Sequence, residues 1–297
     1  MLVAVTGASG FIGGEVVRRL TAAGHGVLRI GRPAASGPGP DVAWDPARGE
    51  LDAAALGGVE AVIHLAGEPI AQRWTASAKE RIRSSRVQGT ELLAQRLAAL
   101  SPRPRVLVSM SAIGFYGDRG DETLDEQSRR GTGFLADTAA LWEASTEPAR
   151  QAGIRVAVAR LGIALHRSGG ALAKLLPVFS AGMGGPIGSG AQWMSWISRD
   201  DAVNALLFVM GHDTLAGPVN LTAPQPVRNR EFASALGGVQ RRPAVLPAPA
   251  WAIRAAFGQM GVEAVLAGQR VLPARLAEAG FRFTHATLVD ALRASLS

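Results

Sequence analysis

The chain is 297 residues long, 47% hydrophobic and 19% charged, which gives it enough apolar surface for one large α/β domain or for a domain with a smaller lobe. No apolar run approaches the roughly 18 to 20 residues that span a bilayer, and the absence of cysteine excludes disulfides, thiol catalysis and cysteine-ligated metals. The formal charge of +7 is carried almost wholly by arginine, scattered apart from a modest cluster at Arg81, Arg83 and Arg86; this argues against nucleic acid as a partner and for a phosphate-bearing cofactor or anionic substrate.

The first element is a strand, Leu2 to Thr6, running straight into Gly7-Ala8-Ser9-Gly10-Phe11-Ile12-Gly13 and then into an amphipathic helix through Leu20. Strand, glycine loop and helix in that order form a dinucleotide-binding βα turn: Gly7 for the tight turn, Gly10 for close approach of a pyrophosphate, Gly13 for helix–strand packing. Backbone at Ser9, Gly10, Phe11 and Ile12 then faces the phosphates, where the helix dipole favours negative charge. With no basic region and no small-residue cleavage site ahead of that strand, a cytoplasmic location is expected by default.

A second strand, 26–30, ends in Ile30-Gly31-Arg32 with no acid until Asp41. An acid there would accept from a ribose 2′-hydroxyl, whereas an arginine accommodates a 2′-phosphate, so NADP(H) is expected rather than NAD, with Arg32 on the phosphate and Arg29 as a lesser helper. Residues 33–40, rich in Pro and Gly, read as a loop. The third strand, 59–65, ends in His64-Leu65-Ala66-Gly67, whose small residues Ala66 and Gly67, with Leu65, let a strand end approach the cofactor. His64 has no neighbour at ligand spacing and reads as a packing histidine; no metal site is expected.

Further strands at 105–110 and 154–161, and helices at 11–23, 75–99 and 134–152, complete an alternation that implies a Rossmann-like, doubly wound parallel sheet. The punctuated stretch 241–249 separates a main body, 1–240, from a small, mostly helical C-terminal lobe, 241–297.

The order of Gly7–Gly13, His64–Gly67, Ser109-Met110-Ser111-Ala112-Ile113-Gly114-Phe115-Tyr116-Gly117, Arg160-Leu161-Gly162 and Trp196-Ile197-Ser198-Arg199-Asp200-Asp201 resembles the extended short-chain dehydrogenases/reductases. More narrowly, Ala66–Ile70, Tyr116–Gly120, Gly190–Ile197 and Gln269–Pro273 look like the atypical NADP-binding "epimerase family" branch, whose members carry a small C-terminal domain of unassigned role. The resemblance covers nearly the whole chain. It implies a nucleotide-binding enzyme with Ser109 among the cofactor residues.

One departure stands out. The larger family uses a Tyr-x-x-x-Lys pair, the lysine lowering the tyrosine pKa for proton transfer. Here the only tyrosine is Tyr116, and counting back from Trp142-Glu143 puts Leu135 and Ala139 at the pair's positions. The remaining candidates are Ser111, whose hydroxyl would hold a substrate oxygen beside the nicotinamide, and Tyr116 as proton donor. Glu68 and Asp118 are the carboxylates expected to face the cleft, although each equally suits the ordering of a loop. Glycine-rich residues 182–190 lead to Gln192, Trp193 and Trp196, the expected substrate wall, with a core role for Trp196 equally open. Asp200 and Asp201 read as helix caps.

Two functions fit these residues. One is an NADP(H)-dependent oxidoreductase or epimerase-like enzyme on a small hydroxyl- or carbonyl-bearing substrate, with sugar nucleotides included. The other is a non-catalytic NADPH-binding sensor or regulator. The partner in either case is a small molecule, neither nucleic acid nor membrane, and the sequence leaves a homo-oligomer open.

Overall fold

A computed structural model describes residues 1–32 and 39–297; most of the proline-rich loop expected at 33–40 lies outside them. Strands β1 (Leu2–Thr6), β2 (Gly26–Gly31), β3 (Val42–Asp45), β4 (Glu50–Leu51), β5 (Ala61–His64), β6 (Val106–Ala112), β8 (Arg155–Leu161) and β12 (Gly217–Leu221) form one sheet in the order β12-β8-β6-β5-β1-β2-β3-β4. All neighbours are parallel except the β3–β4 hairpin. Helices α1 (Gly13–Ala22), α2 (Ala76–Ala98), α3 (Phe134–Ala144), α4 (Glu147–Gln151), α5 (Gly170–Ser180), α6 (Arg199–Gly211) and α7 (Asn229–Gln240) follow the strands. This is the Rossmann-like doubly wound sheet that the alternation predicted.

Side chains alternate across the sheet as the strand period requires. Val3, Val5, Ile63 and Val108 pack with Val16 and Leu20 of α1 and Leu206 of α6 on one face. Ala4, Val62, Leu107 and Val156 pack with Leu93 and Leu97 of α2 on the other.

Two elements differ from expectation. The helix expected over 134–152 breaks at Ser145-Thr146, whose hydroxyls donate to Leu141 O (2.8 Å) and Glu143 O (2.7 Å), and Pro148, with no N–H to donate, starts α4 afresh. Strand β12 has no expectation behind it; Pro218 is compatible with it because β12 is an edge strand.

The small strands β7 (Thr123–Leu124), β9 (Ile163–His166), β10 (Trp193–Met194), β11 (Trp196–Ser198), β13 (Val227–Arg228) and β14 (Arg270–Val271) make three two-stranded pairs, β11–β9, β10–β13 and β14–β7. The C-terminal region is helical as expected, with α8 (Ala250–Phe257), a π-helical stretch Gly261–Leu266, α9 (Ala274–Glu278) and α10 (Leu288–Leu296). It is tied to the rest of the chain: β14 extends β7, and Leu288 and Leu292 join a third core with Leu165, Phe179, Trp196 and Phe232. Among the described residues no helix is long and apolar enough to cross a membrane.

Candidate active site at the strand ends

Gly7 takes φ +65°, a left-handed conformation that glycine adopts freely, and a Cβ there would lie 3.0 Å from Leu65 C. A Cβ on Gly13 would lie 2.1 Å from Gly7 O, so Gly13 is what lets α1 seat against β1. Gly10 donates its amide to Gly7 O (2.9 Å), and that carbonyl is the one atom near its missing Cβ, at 3.1 Å. Of the turn residues, Ser9 and Gly10 are exposed, Gly7 and Phe11 half-buried, and Ile12 and Gly13 buried.

The end of β5 is pinned to the end of β1. The amides of Leu65 (3.0 Å) and Ala66 (3.2 Å) donate to Thr6 Oγ1, which lies 2.7 Å from His64 Nδ1, while His64 Nε2 lies 2.9 Å from Thr90 Oγ1. Because Thr6 Oγ1 already accepts two amides, its own proton goes to Nδ1, leaving the ring proton on Nε2 to bond Thr90. His64 is fully buried, and desolvation draws its pKa down to about 4. It is the packing histidine that the sequence suggested. Leu65 and Ala66 are half-buried and Gly67 is exposed.

At the end of β2, Arg32 is exposed. Arg29 is committed elsewhere: its guanidinium binds Asp41 through Nη2 (2.9 Å) and Nε (3.1 Å), which holds the Asp41 carboxyl below the usual range. The first acid after β2 is thus engaged by an arginine two residues before the strand's end.

The opposite side of the cleft is a chain of buried polar groups. Ser111, at the end of β6, donates to Glu143 Oε1 (2.8 Å); Arg160 of β8 grips the same carboxylate through Nε and Nη2, both at 2.8 Å. The side chains of Arg160 and Glu143 are only 5% and 15% exposed, so this ion pair is screened little by solvent. Arg160 Nη1 donates to the Tyr116 hydroxyl (3.0 Å), which itself donates to Asn220 Oδ1 (2.7 Å), and the guanidinium lies 3.6 Å from the Phe115 ring centre. Tyr116 is completely buried, and burial pushes its phenol up to about 12. The expected proton donor is therefore a framework residue: its hydroxyl has both partners inside the protein and no route to a cleft. Leu135, at the position of the family tyrosine, packs on Gly114, where a Cβ would be 3.2 Å from its own, and donates its amide to Glu263 Oε2 (3.0 Å) from the C-terminal region.

Asp118, Gln192 and Trp193 meet at a cavity of about 270 Å³ completed by Gly120, Ser189, Ala191, Arg228, Leu266 and Gly268. Trp193 is flanked by Arg228 (4.1 Å to the ring centre) and Arg270 (4.6 Å), and its indole donates to Asp121 (2.9 Å). Trp196 is not part of this wall. It is fully buried in the third core with its N–H on Gln225 O (3.0 Å), because it lies on β11 facing α7 and α10. Glu68 is not at this cavity either: its carboxylate accepts from Gln72 (3.2 Å) and lies 3.7 Å from Arg81. Asp118 Oδ1 accepts from Gly120 N (3.2 Å), ordering its own loop. Asp201 is buried and takes the Ser198 hydroxyl and the amides of Thr284 and His285, while the cap of α6 is Ser198. A larger hollow of about 470 Å³, between Ala99–Pro104 and Ala152-Gly153, lies at the opposite, N-terminal edge of the sheet, away from these groups.

Ser109, on β6 opposite His64, is buried with its hydroxyl unpartnered. Sequence reasoning did not single out Glu143, Arg160 or Asn220 as a unit. The available signal was a charged residue inside the apolar run of β8, which a buried strand accepts only with a partner. Among the described residues no cluster of three or more His, Cys, Asp or Glu side chains is placed to hold a metal.

The profile of the NAD dependent epimerase/dehydratase family matches residues 3–221, and a domain of unknown function, DUF1731, matches residues 248–295. An epimerase family protein of Mycobacterium bovis is 45% identical over 98% of this chain and 96% of its own. A relative from Arabidopsis thaliana, named an epimerase family protein and chloroplastic, is 40% identical over 99% of this chain and 86% of its own. The crystal structure of human epimerase family protein SDR39U1 with NADPH superposes with a TM-score of 0.89 at 31% identity, covering 99% of both chains.

Proposed function

Because the chain belongs to the NAD dependent epimerase/dehydratase family, we propose that it is an NADP(H)-dependent oxidoreductase or epimerase-like enzyme acting on a small hydroxyl- or carbonyl-bearing substrate, sugar nucleotides included. The observation that carries this reading is the fixed hydroxyl of Ser111, held at the end of β6 by a carboxylate that Arg160 in turn immobilises. The cofactor fits the residues present. The exposed backbone of Ser9 and Gly10 heads α1, Leu65–Gly67 adjoin it across Gly7, and exposed Arg32 stands at the end of β2 with the nearest acid already paired to Arg29. NADPH bound to the human relative supports the choice of dinucleotide.

When bound, the nicotinamide supplies or accepts a hydride. The protein's part is to hold and orient the reacting oxygen. With its proton on Glu143, Ser111 Oγ accepts from a substrate hydroxyl; turned toward the cleft, the same proton bonds a carbonyl oxygen. Asp118, Gln192 and Trp193 line the cavity proposed for the rest of the substrate. Tyr116 takes no proton in this scheme, since its raised pKa and two internal partners suit a strut.

The test has two parts. Arg32→Ala should erase most of a preference for NADPH over NADH, a loss of about tenfold or more for a charge-assisted contact; equal calorimetric affinities in the unaltered protein would refute the cofactor assignment. With NADPH still bound, Ser111→Ala should lower turnover about 100-fold and Tyr116→Phe only modestly. The sensor reading has one observation in its favour: Leu135 and Ala139 stand where the family's proton-transfer pair would be, and the C-terminal Glu263 caps Leu135. NADPH binding without turnover on a broad panel of aldehydes, ketones and sugar nucleotides would select it.

A further inference from the structure

Arg86, from the arginine cluster on α2, has no part in the function proposed above, yet its surroundings are unusual for a cation. Its Nη1 donates to two backbone carbonyls, Glu68 O (2.9 Å) and Ile82 O (3.1 Å), and its guanidinium lies 4.9 Å from the Trp142 ring centre. These contacts fix the group without neutralising it. Among the described residues no carboxylate lies within ion-pair distance of Arg86; Glu68 turns its own toward Arg81 and Gln72. Burial draws the Arg86 pKa down to about 10, which still leaves it charged at neutral pH. A desolvated charge without a counter-ion is costly, so one that stays charged is suited to an anion from outside the chain.

The position says which anion. A Cβ on Gly67 would lie 3.3 Å from Arg86 Cζ and 3.4 Å from both Nη atoms, so the bare glycine is what gives the guanidinium its place at the exposed strand end. Gly67 directly follows Leu65-Ala66, the residues against which Gly7 packs. The cation therefore borders the glycine turn from the β5 side, across from the N-terminus of α1.

We propose that Arg86 is a binding residue for the diphosphate of the dinucleotide, meeting its anionic oxygens from α2 while the glycine turn meets them from α1. This rests on the dinucleotide reading of the turn. A guanidinium offers a planar fork of donors to phosphate, and with Nη1 held by carbonyls, Nη2 remains for the ligand.

NADPH is titrated calorimetrically into the full chain and into Arg86→Gln and Arg86→Lys. Arg86→Gln should bind at least about tenfold more weakly and lose part of the salt dependence of binding, while Arg86→Lys, which keeps the charge, should lose less affinity and keep the salt dependence. Arg86→Gln binding as tightly as the unaltered protein, with the same salt dependence, would overturn the proposal. A second readout is independent of the folding of the glutamine variant: the Nε–H resonance of Arg86, assigned by its loss in Arg86→Lys, should shift in the unaltered protein on addition of NADPH, and an unmoved resonance at saturation would equally overturn it. If the unaltered chain does not bind NADPH at all, the dinucleotide reading itself fails and takes this inference with it, an outcome visible before any substitution is made.

Discussion

The two walls of the cleft are made of different material. On the β1–β5 side the shape comes from backbone: Gly7 turned to positive φ, Gly13 admitting Gly7 O where a Cβ would stand, and two amides of β5 gathered on Thr6. On the β6–β8 side it comes from side chains drawn from β6, α3, β8 and β12, each holding the next: Ser111, Glu143, Arg160, Tyr116, Asn220. A backbone wall is damaged by adding atoms. A side-chain network is damaged by removing them, because every deletion leaves a buried partner unsatisfied.

The largest effect is therefore expected on the network side. Glu143→Ala would leave the Arg160 guanidinium, 5% exposed, with no acid and only the Tyr116 hydroxyl as acceptor. Breaking a buried pair in this way costs about 3–5 kcal/mol, measurable by urea denaturation. Glu143→Gln, which keeps an acceptor for Ser111 and Arg160, should lose less. A loss below about 1 kcal/mol for the alanine variant would mean that solvent compensates Arg160 and that the contrast between the walls is overstated.

How far each wall was legible follows from the same difference. The glycine turn is local: Thr6 to Gly13 are contiguous, and the reasons for each glycine are properties of a strand–turn–helix unit that any such sequence must meet. Strands β1, β2, β5, β6 and β8 were equally readable, since a strand covered on both faces is an apolar run. The network could not be read in this way. Ser111 pairs with Glu143 and Tyr116 with Asn220, and nothing in the residues between them encodes which acid meets which base. Tyr116 and Trp196 illustrate the error that results: both are large, polar-tipped and near motif residues, and both turn out to be wholly inside. A hydroxyl or indole N–H says that a partner is needed, and an internal partner satisfies the need as well as a substrate would.

The backbone wall has one side chain at its centre, and it carries a pH signature. His64 titrates at about 4 in the folded protein, below the ordinary 6.5, so the folded state favours the neutral ring and protonation favours unfolding. Its contribution is complete above pH 6.5 and is lost as pH falls from 6.5 toward 4, by up to about 3 kcal/mol. Carboxylates contribute in the same direction at the acid end, so the check is a difference: denaturation midpoints between pH 7 and 4.5 should fall more steeply for the unaltered protein than for His64→Gln. Parallel slopes would show that His64 is hydrated and does not clamp β1 to β5.

The smallest effect sharpens the backbone wall into two parts. Gly13 and Gly10 belong to one motif, yet the space around them differs: a Cβ on Gly13 would be 2.1 Å from Gly7 O, a backbone atom that cannot step aside, whereas on Gly10 the same carbonyl would be 3.1 Å away with solvent beyond. Gly13→Ala should thus destabilise the ligand-free protein by about 1–3 kcal/mol, the range for overpacking. Gly10→Ala should change ligand-free stability by less than about 0.5 kcal/mol, as exposed substitutions generally do. If phosphates approach the backbone at Gly10, the same alanine should nonetheless weaken NADPH binding, and Gly10→Val more so, with melting temperatures that match the unaltered protein in the absence of ligand and diverge only in its presence. Were both alanine variants equally stable and equally able to bind, the turn would be a packing device alone, and the ligand would have to meet the chain elsewhere.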